Sequence, residues 1–371
     1  MENLQEVTVN KLRARIAGHS INAETAYARL ISEGKISRDF VTPVGTNNDQ
    51  RSKVLGFVNA DGTVRMQMPT EQLNMHPNAV YQLADKLGVP AKYLQSLATG
   101  SEWEKELCAN ILNEHSGYAK RTRVLLRAVG QEVRGVLSDQ YRRLNSVDLV
   151  ESFVKSAYAQ SAVLADGLMT DTKLFIEVLM PEPLIFETPK NGTAVMAYGA
   201  RLSSSDYGDG ALELRTFTMQ GVCLNGMVRE SVLRTVHLGS RLPENLELSE
   251  RTYLLDTQTQ ASAIKDLTRG LFDRKRLMAE MMLVQDASMI DVDLDKEVRE
   301  LPKRGLSKDE AGRVQKILTN GRTEDGVQGE PTLWKLVNWV TALGRDSEAS
   351  RSREIQEIAG KLMERAASMK K

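Results

Sequence analysis

Between residues 162 and 219 the chain offers four extended runs, Ala162–Asp166, Lys173–Leu179, Thr193–Ala200 and Leu212–Met219, with no helix-length pattern between any two. The separators carry Pro181-Glu182-Pro183, Pro189–Gly192 and Ser203–Gly210, all rich in turn formers. A parallel pair needs a long crossover, usually a helix. These strands are therefore expected to pair antiparallel, as a meander.

A second strand pair is expected just upstream. Thr122–Ala128 and Glu132–Ser138 flank Gly130, and Arg123, Leu125 and Arg127 alternate with Val124, Leu126 and Ala128. Alternation of this kind gives a strand one polar and one apolar face. The polar face is basic: residues 120 to 155 hold eight Lys or Arg against four acids. Arg121, Arg123, Arg127, Arg134, Arg142 and Arg143 cluster on this hairpin and its exit, with Tyr141 among them, and Arg201 and Arg215 add charge in the following strands. Exposed arginines can track a phosphate backbone while an aromatic ring stacks on bases. A half-exposed sheet also needs polar residues on its wet side, with no ligand involved.

Elsewhere the punctuation is clear. Residues 1–70 show β-like runs at Glu6–Val9 and Lys53–Val58, and Asp61-Gly62 reads as a hairpin turn. Pro77 opens a helix that Gly88 closes; Pro90 and Gly100 bound the next; Ser101–Glu104 is a capping box for a third. Asn145 or Ser146 starts a helix to about Tyr158, with Val147, Val150, Val154 and Tyr158 as its buried stripe. Gln220–Leu233 reads as a strand end passing into a helix. Beyond residue 250 the chain reads as helical: Ile264, Leu267, Leu271, Met278 and Met281 mark one long helix, Ser307–Glu310 is a second capping box, and Thr319–Glu330 is a polar loop. Pro331 opens a helix that Gly344 ends, and Ile355, Ile358, Leu362 and Met363 dock the charged final helix. Asn338, mid-helix between Val337 and Trp339, is expected to be a buried amide bonded to a neighbouring segment. The expected fold is α+β: a curved antiparallel β-sheet with helices packed on one face and a helical C-terminal extension. Its expected parts are 1–70, a β-containing segment; 71–250, the core domain; and 251–371, the helical region.

Composition limits the function classes. Forty-nine basic side chains balance forty-nine acidic ones, which excludes a wholesale basic coat and leaves room only for local patches. No apolar run reaches the ~18 residues of a membrane span, and the first residues lack a signal-peptide core. Two cysteines, Cys108 and Cys223, cannot form a disulfide framework, and a reducing cytoplasm is expected. Cys223 sits in an apolar run and reads as structural.

Catalytic signatures are missing. The sequence holds no P-loop, no G-x-G-x-x-G and no G-x-S-x-G elbow. Its four histidines, His19, His76, His115 and His237, stand apart, without the close pairs that zinc sites use. Asp291, Asp293 and Asp295 begin like a calcium loop, but Lys296 and Pro302 occupy the glycine and glutamate positions. Asp139, Asp166, Asp206 and Asp209 could assemble only through the fold; Asp206 and Asp209 share a loop. No catalytic residue, metal or cofactor is expected.

Several stretches together resemble a known family. They are Leu83–Leu94 (LADKLGVPAKYL), Leu126-Arg127-Ala128, Val133–Arg142 (VRGVLSDQYR), Ser203–Gly208 (SSSDYG), Val222–Met227 (VCLNGM) and Leu333–Thr341 (LWKLVNWVT). Their order and spacing resemble the phage- and plasmid-encoded proteins of domain-of-unknown-function family 932, over roughly residues 75 to 345. The resemblance implies a mobile-element protein working on DNA or in host conflict, in a bacterial host cell, and it assigns no catalytic residue. The expected arrangement of strands and packing helices is also similar to that of phage single-strand annealing proteins of the Red-beta and Erf type. The expectation is a non-catalytic nucleic-acid-binding protein that takes single-stranded DNA and forms a homo-oligomer. The alternative is an oligomeric structural or host-interaction protein.

Overall fold

Residues Leu4–Ile36 repeat small and apolar side chains on one helical stripe: Leu12, Ile16, Ala23, Ala26 and Leu30 are all buried. They form helix α1 (Leu4–Ile36) in the computed structural model, which describes residues 4–44, 55–117, 123–139, 141, 144–221, 225–235, 249–320, 327 and 329–368. The β-like run Glu6–Val9 is thus the start of a helix, because a long stripe docking on a sheet outweighs a short β-branched run.

The first sheet draws on both sides of residue 70. Strands β1 (Ser37–Pro43), β2 (Gly56–Ala60), β3 (Thr63–Gln67) and β4 (Gln72–Met75) join β5 (Arg123–Val129) and β6 (Glu132–Ser138), in the order β1-β5-β6-β4-β3-β2. All pairs are antiparallel except β4 with β6. The Asp-Gly turn closes β2–β3, with both Asp61 and Gly62 at positive φ (49° and 71°), the geometry of a two-residue hairpin. Helices α2 (Pro77–Leu87), α3 (Ala91–Ala98) and α4 (Glu102–Gly117) lie on this sheet, burying Leu83, Leu94 and Leu112 against Met66, Leu73 and Leu126. Their ends follow the sequence signals: Gly88 is left-handed at the end of α2, and the Glu104 carboxylate accepts from the Ser101 backbone N–H at 2.7 Å.

Helix α5 (Ser146–Tyr158) connects to the second sheet, with Asn145 capping Val147 N. Its buried face is Leu149, Val150, Phe153 and Ala157, while Tyr158 is exposed; the stripe is rotated from the one expected. The meander follows as β7 (Val163–Met169), β8 (Leu174–Leu179), β9 (Leu184–Thr188), β10 (Gly192–Ser204), β11 (Leu212–Gln220) and β12 (Asn225–Thr235). It is antiparallel throughout, in the order β12-β11-β10-β8-β7, with β9 on the first half of β10. Residues Asn225–Thr235 form a strand where a helix start was expected, since pairing along β11 satisfies their backbone groups. Helices cover both faces of this sheet. Tyr198, Ala200 and Leu202 pack with α5, while Ala197 and Phe217 share a core with Leu12 and Ile16 of α1.

The long helix expected after residue 250 is two, α6 (Glu250–Leu271) and α7 (Arg274–Met289). Asp273 breaks it by accepting from Lys275 N at 2.8 Å, capping a new helix. Then come α8 (Leu294–Glu300), α9 (Lys308–Asn320), α10 (Leu333–Ala342) and α11 (Ala349–Ser368). Ser307 and Glu310 cap α9 reciprocally. Most of the loop expected at Thr319–Glu330 lies outside the described residues. Helix α10 is buried on all sides, among α7, α9 and α11. Helix α11 approaches β12 so closely that a Cβ on Gly360 would overlap the Val228 carbonyl oxygen. The chain is α+β with an antiparallel-rich sheet region and a helical C-terminal part, as expected. Among the described residues no helix is long and apolar enough to cross a membrane.

Candidate functional site

The basic face expected on the β5–β6 hairpin is not a wet face, and this corrects the sequence reading. Arg134 is buried; it donates to Glu33 of α1 at 2.6 Å and to Glu132 at 3.1 Å. Arg127 donates to Asp39 of β1 at 2.9 Å and to the Asp206 carbonyl at 2.8 Å. Arg123, half-buried at the start of β5, is also engaged within the protein. Tyr141 is buried, not a stacking platform, and burial raises its phenol pKa. Arg201 is 2 % exposed and pairs with Glu177, beneath α11. Arg215 reaches Glu357 of α11 at 3.1 Å. Helices α1 and α11 cover strand faces that alternation alone would leave to water, β1 sets Asp39 directly opposite Arg127 in the same sheet, and a buried cation must be paired. Arg121, Arg142, Arg143 and Cys223 lie outside the described residues.

Through Arg127 the hairpin reaches a cleft between the two sheets, about 320 Å³ in volume. The end of α1, Arg127 of β5, the entry to α5, the β7–β8 turn, the β10–β11 turn and the first turns of α6 all line it. Turn geometry places its polar groups. Ser205 Oγ accepts from the backbone N–H groups of Tyr207 and Asp209, which holds Asp206 against the helix entry. There the Asp206 carboxylate accepts from Ser146 Oγ at 2.6 Å, and Ser146 Oγ lies 3.0 Å from Ser204 Oγ. At the floor, buried Thr172 Oγ1 donates to Asp209 at 2.7 Å; the half-exposed Lys173 stands above it, its Nζ 3.3 Å from the same carboxylate. Tyr253 and the exposed Leu254 stand at the α6 side.

Beside the cleft runs a charge network. Arg29 bridges Glu33 (2.8 Å) and Asp171 (2.5 Å), and Arg134 completes it. The Arg29 hydrogen bond holds the Asp171 carboxyl below the usual range. His76 Nδ1 accepts from Asn78 N as the cap of α2, so its proton is on Nε2, 3.7 Å from Asp171.

Neither a family model, nor a curated protein, nor a solved structure matches the chain. The resemblance to family 932 therefore rests on the sequence stretches alone.

Of the acids weighed as a catalytic set, Asp206 lines the cleft and Asp209 bonds to its floor. Asp166 instead accepts from Asn22 and faces Arg353. Asp291 pairs with Lys190, Asp293 caps α8 and Asp295 accepts from Gln315. Among the described residues no group of three or more His, Cys, Asp or Glu is placed to share a metal ion. Sequence reading missed Ser146, Thr172, Lys173 and Tyr253. The only signal was the hydroxyl-rich turns themselves, which read equally well as turn chemistry.

Proposed function

We propose that the inter-sheet cleft binds single-stranded nucleic acid and performs no chemistry on it. The observation that supports this most is the graded burial of the cleft lining: half-exposed Lys173 and Tyr253 supply a cation and an aromatic ring beside the buried hydroxyls of Ser146, Thr172 and Ser204 and the Asp206 carboxylate. A nucleotide presents the complementary groups. Its phosphate takes Lys173, its base stacks against Tyr253, and its edge meets Ser146, Thr172 and Asp206. Asp206 favours bases with an exocyclic amino group, since a carboxylate only accepts. An unpaired base can enter a space of this size, whereas a duplex keeps its edges inside its grooves. The phage and plasmid resemblance, which implies work on DNA or in host conflict, is compatible with this reading.

The test is anisotropy of a labelled oligonucleotide titrated with salt. Lys173→Ala should reduce the magnitude of the log affinity–log salt slope by ~0.7, one phosphate on a single strand. Tyr253→Ala should weaken binding by ~1–3 kcal/mol. A wild-type protein that ignores oligonucleotides at low salt, or two variants that bind like wild type, removes the proposal.

A further inference from the structure

Helix α7 has two unlike faces. Glu280, Val284, Ala287 and Ser288 are buried against the rest of the chain. On the opposite face Met278, Met282 and Met289 are 53 %, 55 % and 62 % exposed, and between them lies half-buried Gln285, whose amide donates to the Glu187 carbonyl of β9 at 3.1 Å and leaves its stem on the face. Single exposed apolar residues are ordinary, but three methionines in register on one helix are a contiguous adaptable surface. The face is also charged at its ends in opposite senses. Arg274 and Lys275 outnumber the capping Asp273 at its start, and just past its end Asp291 and Asp293 outnumber Lys190, which pairs with Asp291. The helix dipole adds charge of the same sign at each end.

We propose that this face pairs antiparallel with the same face of a second copy of the chain, about a two-fold axis. Such an axis requires that if one position meets another, the second meets the first. The stripe satisfies that condition: 278 with 289 and 282 with 285 are centred on the same point, midway between residues 283 and 284. Each methionine therefore meets a methionine or the stem of Gln285. The same rotation brings the cationic start of one helix beside the acidic end of the other. Parallel pairing would place like charges together at both ends. The helix is ~24 Å long, so alone it supports an interface at the small end of the range and a dimer that dissociates on dilution. The inference is independent of the nucleic-acid reading.

Cysteine pairing tests the axis directly. Met278→Cys and Met289→Cys proteins are oxidised separately and as a mixture, with wild type controlling for Cys108 and Cys223. In the antiparallel pair, each new cysteine is ~16 Å along the axis from its own copy and opposite the other variant's. The mixture should form disulfide dimers and the separate proteins should not, because a disulfide needs Cα atoms within ~7 Å. Sedimentation velocity should show wild type shifting from monomer to dimer with concentration. Met282→Lys should raise the dissociation constant at least tenfold with an unchanged melting temperature. Self-linked Met289→Cys protein, a mixture that fails to link, or a wild type that stays monomeric at high concentration overturns the proposal.

Discussion

Replacing Arg201 by methionine is the sharpest probe of how this fold carries its charge. Both partners are sealed from water, with side-chain exposures of 2 % for Arg201 and 4 % for Glu177. Arg201 Nε donates to Glu177 Oε1 at 2.8 Å, a second contact comes from Nη2, and Nη2 also donates to Gln356 of α11. The guanidinium lies 5.1 Å from the centre of the Phe217 ring. Burial lowers the arginine's pKa, yet a guanidinium stays protonated in proteins. Arg201→Met keeps most of the volume and removes the cation, leaving the buried Glu177 carboxylate without its guanidinium partner. Breaking a buried pair on one side costs ~3–5 kcal/mol. Removing both charges, as Arg201→Met with Glu177→Leu, should recover most of that loss, since paired burial itself contributes little net stability. Urea denaturation followed by circular dichroism measures the two single variants and the double variant as a cycle. The expected coupling is at least ~2 kcal/mol, of the sign in which the second change repairs the first. A single variant that loses under ~1 kcal/mol, or a double variant as unstable as the sum of the singles, refutes this account of the pair.

Two further outcomes follow from the caps and the buried amide. Glu310 accepts from Arg351 at 2.6 Å and from Ser307 N, and the Arg351 hydrogen bond, its largest cause, holds its carboxyl down at about 2 against an ordinary 4.5. A depressed folded-state value means its stability is present above about 4.5 and is lost as pH falls toward about 2, by ~1–2 kcal/mol once solvent screening of the pair is counted. Glu310→Gln should therefore flatten the acid limb of a stability–pH curve; an acid limb parallel to wild type argues against the pair. Asn338 is buried and donates to Trp334 O one turn back in its own helix, not to a neighbouring segment as its position suggested. Alanine has the better helix propensity, so Asn338→Ala should cost only ~1 kcal/mol, read as a fall in melting temperature, and a loss above ~3 kcal/mol would point to partners beyond that carbonyl.

Local chemistry was the legible part of the sequence. Asp61-Gly62, Pro77 with Gly88, Ser101 with Glu104 and Ser307 with Glu310 each specify a conformation within four residues or delimit one helix, and each does so in the fold. The meander was legible because its separators cannot hold a crossover helix. Where two conformations were locally close in energy, distant partners decided. Glu6–Val9 joins a helix because Leu12 and Ile16 further along find a core with Phe217 and Val228. Residues Asn225–Thr235 stay extended because β11 supplies partners at both ends of the strand, on either side of an irregularity in the register at Arg215.

The arginines show why the site was harder to read than the fold. Period-two alternation tells which side chains share a strand face, but not whether that face meets water. Arg134 finds Glu33 at a separation of 101 residues, and Arg201 is roofed by Gln356 at 155. Those partners lie on α1 and α11, the first and last helices, which close over strands from the middle of the chain. A basic strand face and a buried ion-pair layer therefore have the same local sequence; the acids that distinguish them are scattered through the rest of a charge-balanced chain. The cleft escapes sequence reading for the converse reason. Its floor is made of serines, threonines and an aspartate in stretches that read as ordinary turns and a helix start, and only the meeting of the β7–β8 turn, the β10–β11 turn and the start of α5 lets them bond to one another around one space.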